Sequence, residues 1–224
     1  EHALGYFYVQ EASSMIPPVV LDPQENDSVL DVAAAPGSKT TQIGMYMKNT
    51  GIIVANDIAG SRLASLGINV QRMGLKNVIL TKMQGQHIKG EFDRILLDAP
   101  CSGTGTIMKS EAVVRDWNPE IGTRLAVIQK KLITNSFNIL KSGGTMIYST
   151  CTMEPQENEG IISYLLETFP NAELEEIKFE GKRSPCFTEF EKEKYNEEVK
   201  KCLRIWPQDN GTEGFFVAKI RKLS

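Results

Sequence analysis

A chain of 224 residues, 41% of them apolar and 24% charged, has the make-up of one globular domain, and its net charge of −3 leaves no basic footprint for nucleic acid. No segment reaches the apolar length of a membrane span, and the first ten residues lack the basic flank and apolar stretch of a signal peptide. Cys101, Cys151, Cys186 and Cys202 form no Cys-x-x-Cys pair and have only His2 and His87 beside them, which disfavours a metal site and a disulfide scaffold alike.

Short apolar runs alternate with amphipathic stretches, the pattern of a mostly parallel sheet with crossover helices. Residues 28–33 read as a first strand, followed by a helix from about Ser38 to Lys48. Residues 52–56 form a second strand closed by Asp57, and the next helix runs from about Gly60 to Met73. Strands three and four fall at 77–81 and 92–98. A long helix is expected from about Arg124 to Leu140, where Leu125, Ile128, Leu132, Ile133, Phe137 and Leu140 keep near-helical spacing. Gly143-Gly144 ends it, and residues 145–149 make strand five. Pro155 opens a helix with Ile161, Ile162, Leu165 and Leu166 on its apolar face. A sixth strand is expected near 174–179, then a charged loop around Pro185, then a last strand at 214–220. No repeat or second domain interrupts residues 1–224, of which 1–27 are expected to pack on the core as an N-terminal segment. Because residue 1 is not Met, processing or excision from a longer chain is expected.

The loop after strand one reads Asp31-Val32-Ala33-Ala34-Ala35-Pro36-Gly37-Ser38-Lys39-Thr40. Its small side chains let backbone amides approach a ligand, and Gly37 is free to take a positive φ. It is not a P-loop, because Ser38 separates Gly37 from Lys39, and it holds one glycine where a dinucleotide fingerprint needs three. Asp57 stands where an acid accepts hydrogen bonds from ribose hydroxyls, a role compatible with capping the helix that follows. An adenosine ligand without a pyrophosphate, such as S-adenosylmethionine, fits this combination, and a nicotinamide-dependent oxidoreductase does not.

Two cysteines end two of the strands, in Asp98-Ala99-Pro100-Cys101 and Ser149-Thr150-Cys151-Thr152. If those strands are parallel neighbours, both thiols emerge at the carboxyl edge, where open α/β sheets bind ligands. Two thiols, a carboxylate and a cofactor loop on one rim point to covalent catalysis. Cys186 and Cys202 lie outside any motif and read as apolar filler.

At these residues the chain resembles the Nol–Nop–Sun family of RNA cytosine-C5 methyltransferases, especially the archaeal tRNA enzymes. The resemblance runs from Gly5-Tyr6-Phe7-Tyr8-Val9-Gln10-Glu11-Ala12-Ser13-Ser14-Met15 through Ala33–Thr40, Leu97–Gly105 and Tyr148–Glu159 to Gly214–Ile220. It implies a Rossmann-like class I S-adenosylmethionine-dependent methyltransferase with a mostly parallel seven-stranded sheet and helices on both faces. It implies cofactor contacts from Ala33, Ala34, Ala35, Pro36, Gly37, Ser38 and Lys39, a ribose contact from Asp57, and further lining by Arg62 and Asp98. The adenine site departs from the family pattern at Lys82-Met83-Gln84-Gly85, and Asn210-Gly211-Thr212-Glu213 stands where relatives often carry a His. Relatives also carry an N-terminal RNA-binding region before the equivalent of Glu1, whose absence would account for the weak basic footprint.

Carbon 5 of cytosine is too poor a nucleophile to take a methyl group unaided, and a thiolate added at carbon 6 makes it enamine-like. The resemblance assigns that attack to Cys151 and release to Cys101, whereas DNA cytosine-C5 enzymes use a Pro-Cys cysteine like Cys101. Asp98 is expected to bond cytosine N3 and the exocyclic amine, holding or sharing a proton as burial raises its pKa. The target base must be single-stranded or flipped. Lys109, Arg115 and Trp117 follow Cys101 in a loop open to RNA, with Trp117 either stacking on a base or packing on the sheet. The helix opened by Pro155 brings Glu154, Glu157 and Glu159 near its positive end, as structural acids or as positioning groups for Cys151. The expected partner is RNA, preferably tRNA over rRNA, in the cytoplasm, with no membrane and no metal. The alternative from another class is an inactive methyltransferase-like RNA-binding module.

Overall fold

The computed structural model describes residues 1–224, in which α1 (Ile16–Leu21) precedes β1 (Ser28–Asp31), α2 (Ser38–Tyr46), β2 (Ile52–Asn56), α3 (Gly60–Arg72) and β3 (Val78–Thr81). Next come β4 (Phe92–Asp98), α4 (Glu111–Asp116), α5 (Ile121–Asn138), β5 (Leu140–Thr150), α6 (Glu159–Thr168) and β6 (Ala172–Glu175). A small hairpin of β7 (Glu189–Phe190) and β8 (Glu193–Lys194) leads to β9 (Leu203–Ile205), α7 (Pro207–Asn210) and β10 (Phe215–Lys222). The sheet order is β3-β2-β1-β4-β5-β10-β6, with β9 also paired to β10. Neighbours from β3 to β5 are parallel, and β10 is antiparallel to β5, β6 and β9.

Successive strand residues face opposite sides of a sheet, so the alternating apolar positions sort into two cores. Ile95, Leu97, Met146, Tyr148, Phe216 and Ala218 face α5 and α6, whose Leu132, Ile133, Phe137, Ile161, Ile162 and Leu165 cover them. Val29, Ile53, Leu96, Ile147 and Val217 face the other way, under Leu21 of α1 and Ile43 and Met47 at α2. Helices therefore lie on both faces, as expected. The N-terminal segment joins this packing through fully buried Leu21.

Four local expectations are corrected. First, the long helix spans Ile121–Asn138 and does not include Leu140, because Lys222 Nζ donates to the carbonyls of Phe137, Asn138 and Leu140 and closes the helix end. Second, Gly143-Gly144 lies inside β5, in an irregularity where the register passes from Phe92↔Leu140 to Arg94↔Thr145. Third, Pro155 opens a 3-10 turn and α6 starts only at Glu159, because Asn158 is held out of helical geometry at φ −113° by bonds to Thr150 Oγ1 and the Thr152 carbonyl. Fourth, β6 stops at Glu175, since the edge of β10 that a longer strand would need, Phe215–Val217, is taken by β9. Leu203–Ile205 is thus an eighth strand beyond the seven expected, and Ile177 and Phe179 pack under the sheet without joining it.

Candidate active site

The strand order reverses between β1 and β4, which opens a crevice at their carboxyl ends. The loop from Val32 to Gly37 forms one wall, with the Val32 amide bonded to Leu96 O and the Ala34 amide to Asn56 O. Gly37 takes φ +108° and hands the chain to α2, and a Cβ there would meet Leu66 Cδ1 at 2.8 Å. Asn56 ties two walls together: its amide donates to Val32 O and Met83 O, and its Oδ1 accepts from the Met83 amide. A cavity of about 320 Å³ at this edge is lined by Tyr8, Ser38, Lys39, Asp98, Cys151, Glu213 and Phe215, among others.

The two thiols meet here. β4 and β5 run in register Leu97↔Tyr148 and Asp98↔Ser149, so the loops that follow carry Cys101 and Cys151 side by side, with Sγ–Sγ 3.3 Å. The bond from Cys101 is the main cause that lowers the Cys151 thiol from its ordinary value, against burial and the Asp98 charge and with help from Lys39. The same bond, then burial, then the charges of Cys151, Glu157 and Asp98 push Cys101 up. The two shifts run in opposite directions, so Cys101 holds its proton more tightly than Cys151 does.

Asp98 is clamped. Lys39 Nζ donates to its Oδ2 at 2.8 Å and Ser149 Oγ to its Oδ1 at 2.7 Å. Each of its two oxygens is thus served by one donor, one of them an ammonium. Lys39 is buried and also reaches Ser14 Oγ at 2.8 Å; burial works against its charge, but Asp98, Asp31 and Cys151 hold its proton.

Asp57 is buried, its Oδ1 accepting from the Ala59 amide at 2.9 Å and its Oδ2 from the Ala35 amide at 3.3 Å. Arg62 lies across it, Nη1 3.4 Å from Oδ2, with Nη2 donating to Ala35 O at 2.5 Å. Asp57 is not itself the cap of α3, which is Ala59, but its carboxylate holds the Ala59 amide at the start of that helix. Trp117 does not pack on the sheet: it is 48% exposed at the end of α4, and its indole NH donates to Glu154.

Several residues of this edge lie outside the expected catalytic and cofactor-binding set. Glu11 Oε2 accepts from the Ser13 and Ser14 amides and its Oε1 from the Glu213 amide, stitching the N-terminal segment to the loop before β10. Glu157, expected at a helix end, is instead fully buried between the two thiol loops, and Gln129 of α5 reaches it at 2.8 Å. Gln129 had a legible signal: it sits four residues after Leu125 and four before Ile133, on the buried stripe of α5.

The family model described as 16S rRNA methyltransferase RsmB/F matches residues 18–221. The chain belongs to this family, the Nol–Nop–Sun RNA cytosine-C5 methyltransferases. It is 47% identical to a tRNA (cytosine(49)-C(5))-methyltransferase of Pyrococcus abyssi, over 99% of this chain and 72% of that relative. It is 44% identical to a ribosomal RNA small subunit methyltransferase F of Shewanella woodyi, over 100% of this chain and 47% of that protein, so it spans about half the length of that relative. Among solved structures, NSun6 from Pyrococcus horikoshii with SFG superposes with TM-score 0.86 at 34% identity, covering 99% of this chain and 54% of that one. The fold is that of the class I S-adenosylmethionine-dependent methyltransferases.

Proposed function

We propose that this chain methylates carbon 5 of cytosine in RNA with S-adenosylmethionine as donor, acts on tRNA in the cytoplasm, and uses Cys151 as nucleophile. Residues 1–224 are its catalytic unit. One observation carries the reading: two sulfurs 3.3 Å apart beside Asp98, at the mouth of the switch-point crevice. Transfer RNA is favoured by the Pyrococcus abyssi relative, which is covered over 72% of its length against 47% for the bacterial enzyme. The description of the family model favours ribosomal RNA as the second reading.

The crevice fits the cofactor by its donor set. The small-residue loop from Ala33 to Gly37, with Ser38 and Lys39, offers backbone approach, and Asp57 offers an acceptor for ribose hydroxyls once Arg62, whose side chain is 56% exposed, swings aside. When bound, S-adenosylmethionine supplies an electrophilic methyl group on a sulfonium and leaves as a neutral thioether. Cys151 Sγ forms a bond to carbon 6, and the C5=C6 electron pair moves onto carbon 5, which takes the methyl group. Lys39 and Asp98 hold the edge of the ring where charge collects. Once Cys151 is bonded to carbon its charge is gone, and with it the main cause that keeps Cys101 protonated. Cys101 then loses its proton to water and can take the proton from carbon 5. The C–H electrons restore C5=C6 and expel Cys151 as a thiolate.

The test incubates single variants with tRNA, rRNA and cofactor, followed by denaturing electrophoresis and nucleoside analysis. Cys101→Ala is expected to accumulate a denaturation-resistant protein–RNA adduct, and Cys151→Ala to give neither adduct nor product, a loss of more than ~10³-fold. The reverse pattern would exchange the two roles, and methylation undiminished in both variants would end the proposal. Methylation of rRNA alone would select the second reading.

A further inference from the structure

We infer that Glu157 is a positioning residue that sets the order of the two thiols, holding Cys101 as hydrogen-bond donor and Cys151 as acceptor. The inference rests on the reading of Cys151 as nucleophile.

Glu157 has no exposed surface, and its carboxylate touches both cysteine-bearing loops. Its Oε2 accepts from the Ser102 amide at 3.0 Å, and Ser102 Oγ bonds its Oε1. Its Oε1 also accepts from Thr152 Oγ1 at 3.3 Å. Ser102 and Thr152 are the residues immediately after Cys101 and Cys151, and their hydroxyls bond each other at 2.6 Å. Gln129 Nε2 joins from α5, donating to Glu157 Oε2 at 2.8 Å and to Pro100 O at 2.9 Å. One carboxylate thus bridges the residues on either side of the thiol contact.

The chemistry of this bridge is unusual for a structural strut. No cation pairs with Glu157, whereas Glu159, two residues on, is paired with Arg204. A buried carboxylate served only by neutral donors is costly, and burial pushes its own carboxyl up. A glutamine would bridge the same loops more cheaply, so the charge itself has a task. That task is visible in the charges around the sulfurs. Lys39 of α2 lines the same cavity as Cys151, whereas the Glu157 carboxylate is held by both the amide and the hydroxyl of Ser102, the residue after Cys101, and its charge works to raise that thiol. The other ionisable groups acting on the pair are Asp98 at the end of β4, Tyr148 of β5 and Glu213 before β10. A negative charge beside Cys101 and a positive one beside Cys151 keep the shared proton on Cys101.

The test is alkylation of the full chain by iodoacetamide across pH, read thiol by thiol by peptide mass spectrometry; it needs neither RNA nor cofactor. The wild type is expected to alkylate Cys151 well before Cys101. Glu157→Gln, which keeps shape and loses charge, is expected to lower the Cys151:Cys101 rate ratio about 10-fold, the effect of a charge worth one pKa unit. Its kcat for methylation should fall while KM for RNA stays within about 2-fold. Should that variant fail to fold, Glu157→Asp, which withdraws the charge from Ser102 by one methylene, is expected to lower the ratio about 3-fold. A ratio unchanged in the folded variant overturns the inference. Failure of wild-type methylation with a shifted ratio would instead overturn the proposed function and leave the charge order standing.

Discussion

Two regions of this molecule each hold a pair of cysteines over buried acids, and they treat them in opposite ways. At the carboxyl edge Cys101 and Cys151 face one another, with Lys39 among the groups that favour a thiolate. Beside β9, Cys186 points its thiol at the Cys202 carbonyl at 3.5 Å, and burial pushes Cys186 up to about 12 and Cys202 well above its ordinary value. The acids differ in the same sense. Glu159 is neutralised by a two-point ion pair to Arg204, both side chains being fully buried, and the guanidinium stacks on Phe187 and Phe216. Glu157 and Asp31 at the carboxyl edge have no such cation of their own. Reactivity is a property of the neighbours, and the turn at 157–159 sends one acid into each region.

The sharpest way to break this contrast is to remove Arg204. Arg204→Ala leaves Glu159 as an unpaired buried charge and is expected to cost about 3–5 kcal/mol, measured by thermal or urea unfolding. Replacing both partners by apolar residues, Arg204→Met with Glu159→Leu, should recover most of that loss. A single variant as stable as the wild type would mean the pair is not structural.

Asp31 gives a smaller effect with a pH signature. Burial, against the bond from Thr40, raises its carboxyl from 3.8 to about 7. The folded chain therefore keeps a proton between about pH 4 and 7 that the unfolded chain has lost, so stability falls as pH rises through that window and is lowest above it. Asp31→Asn cannot titrate and is expected to gain about 3 kcal/mol relative to the wild type between pH 5 and pH 8, on the scale of 1.36 kcal/mol per pKa unit. Parallel stability curves for the two proteins would show that Asp31 is ionised in the fold.

The smallest effect sharpens the comparison from the other side. Cys186→Ala is expected to leave kcat for RNA methylation within about 2-fold of wild type, where Cys151→Ala removes it. A large loss would bring the β9 region into the chemistry.

The carboxyl edge was legible to very different degrees. Cys101, Cys151 and Asp98 were readable because each follows an apolar run that could only be a parallel-sheet strand, and strand ends share one edge. The loop around Gly37 was readable from its small residues. Glu157 and Gln129 were not paired by any spacing, since 28 residues and a strand separate them, and only packing of α5 against the turn after β5 joins them. The end of β6 depended on a competitor: Ala172–Glu175 stops where β9 takes over the edge of β10, and nothing within the segment records that rivalry.

Chain chemistry alone determined which side chains could do the work: two thiols, a lysine in the cofactor loop, acids at strand ends, and a loop small enough to admit a ligand. Those are local facts, written in periodicity and in what each residue can donate or accept. The charge state of each group was decided by the tertiary structure, because it depends on which loops meet and how deeply they are buried. Cys151 met Cys101, Asp98 took Lys39, and Glu157 settled between the two thiol loops, through contacts from distant parts of the chain. Electrostatic energies fall with distance and rise as water is excluded, and folding sets both.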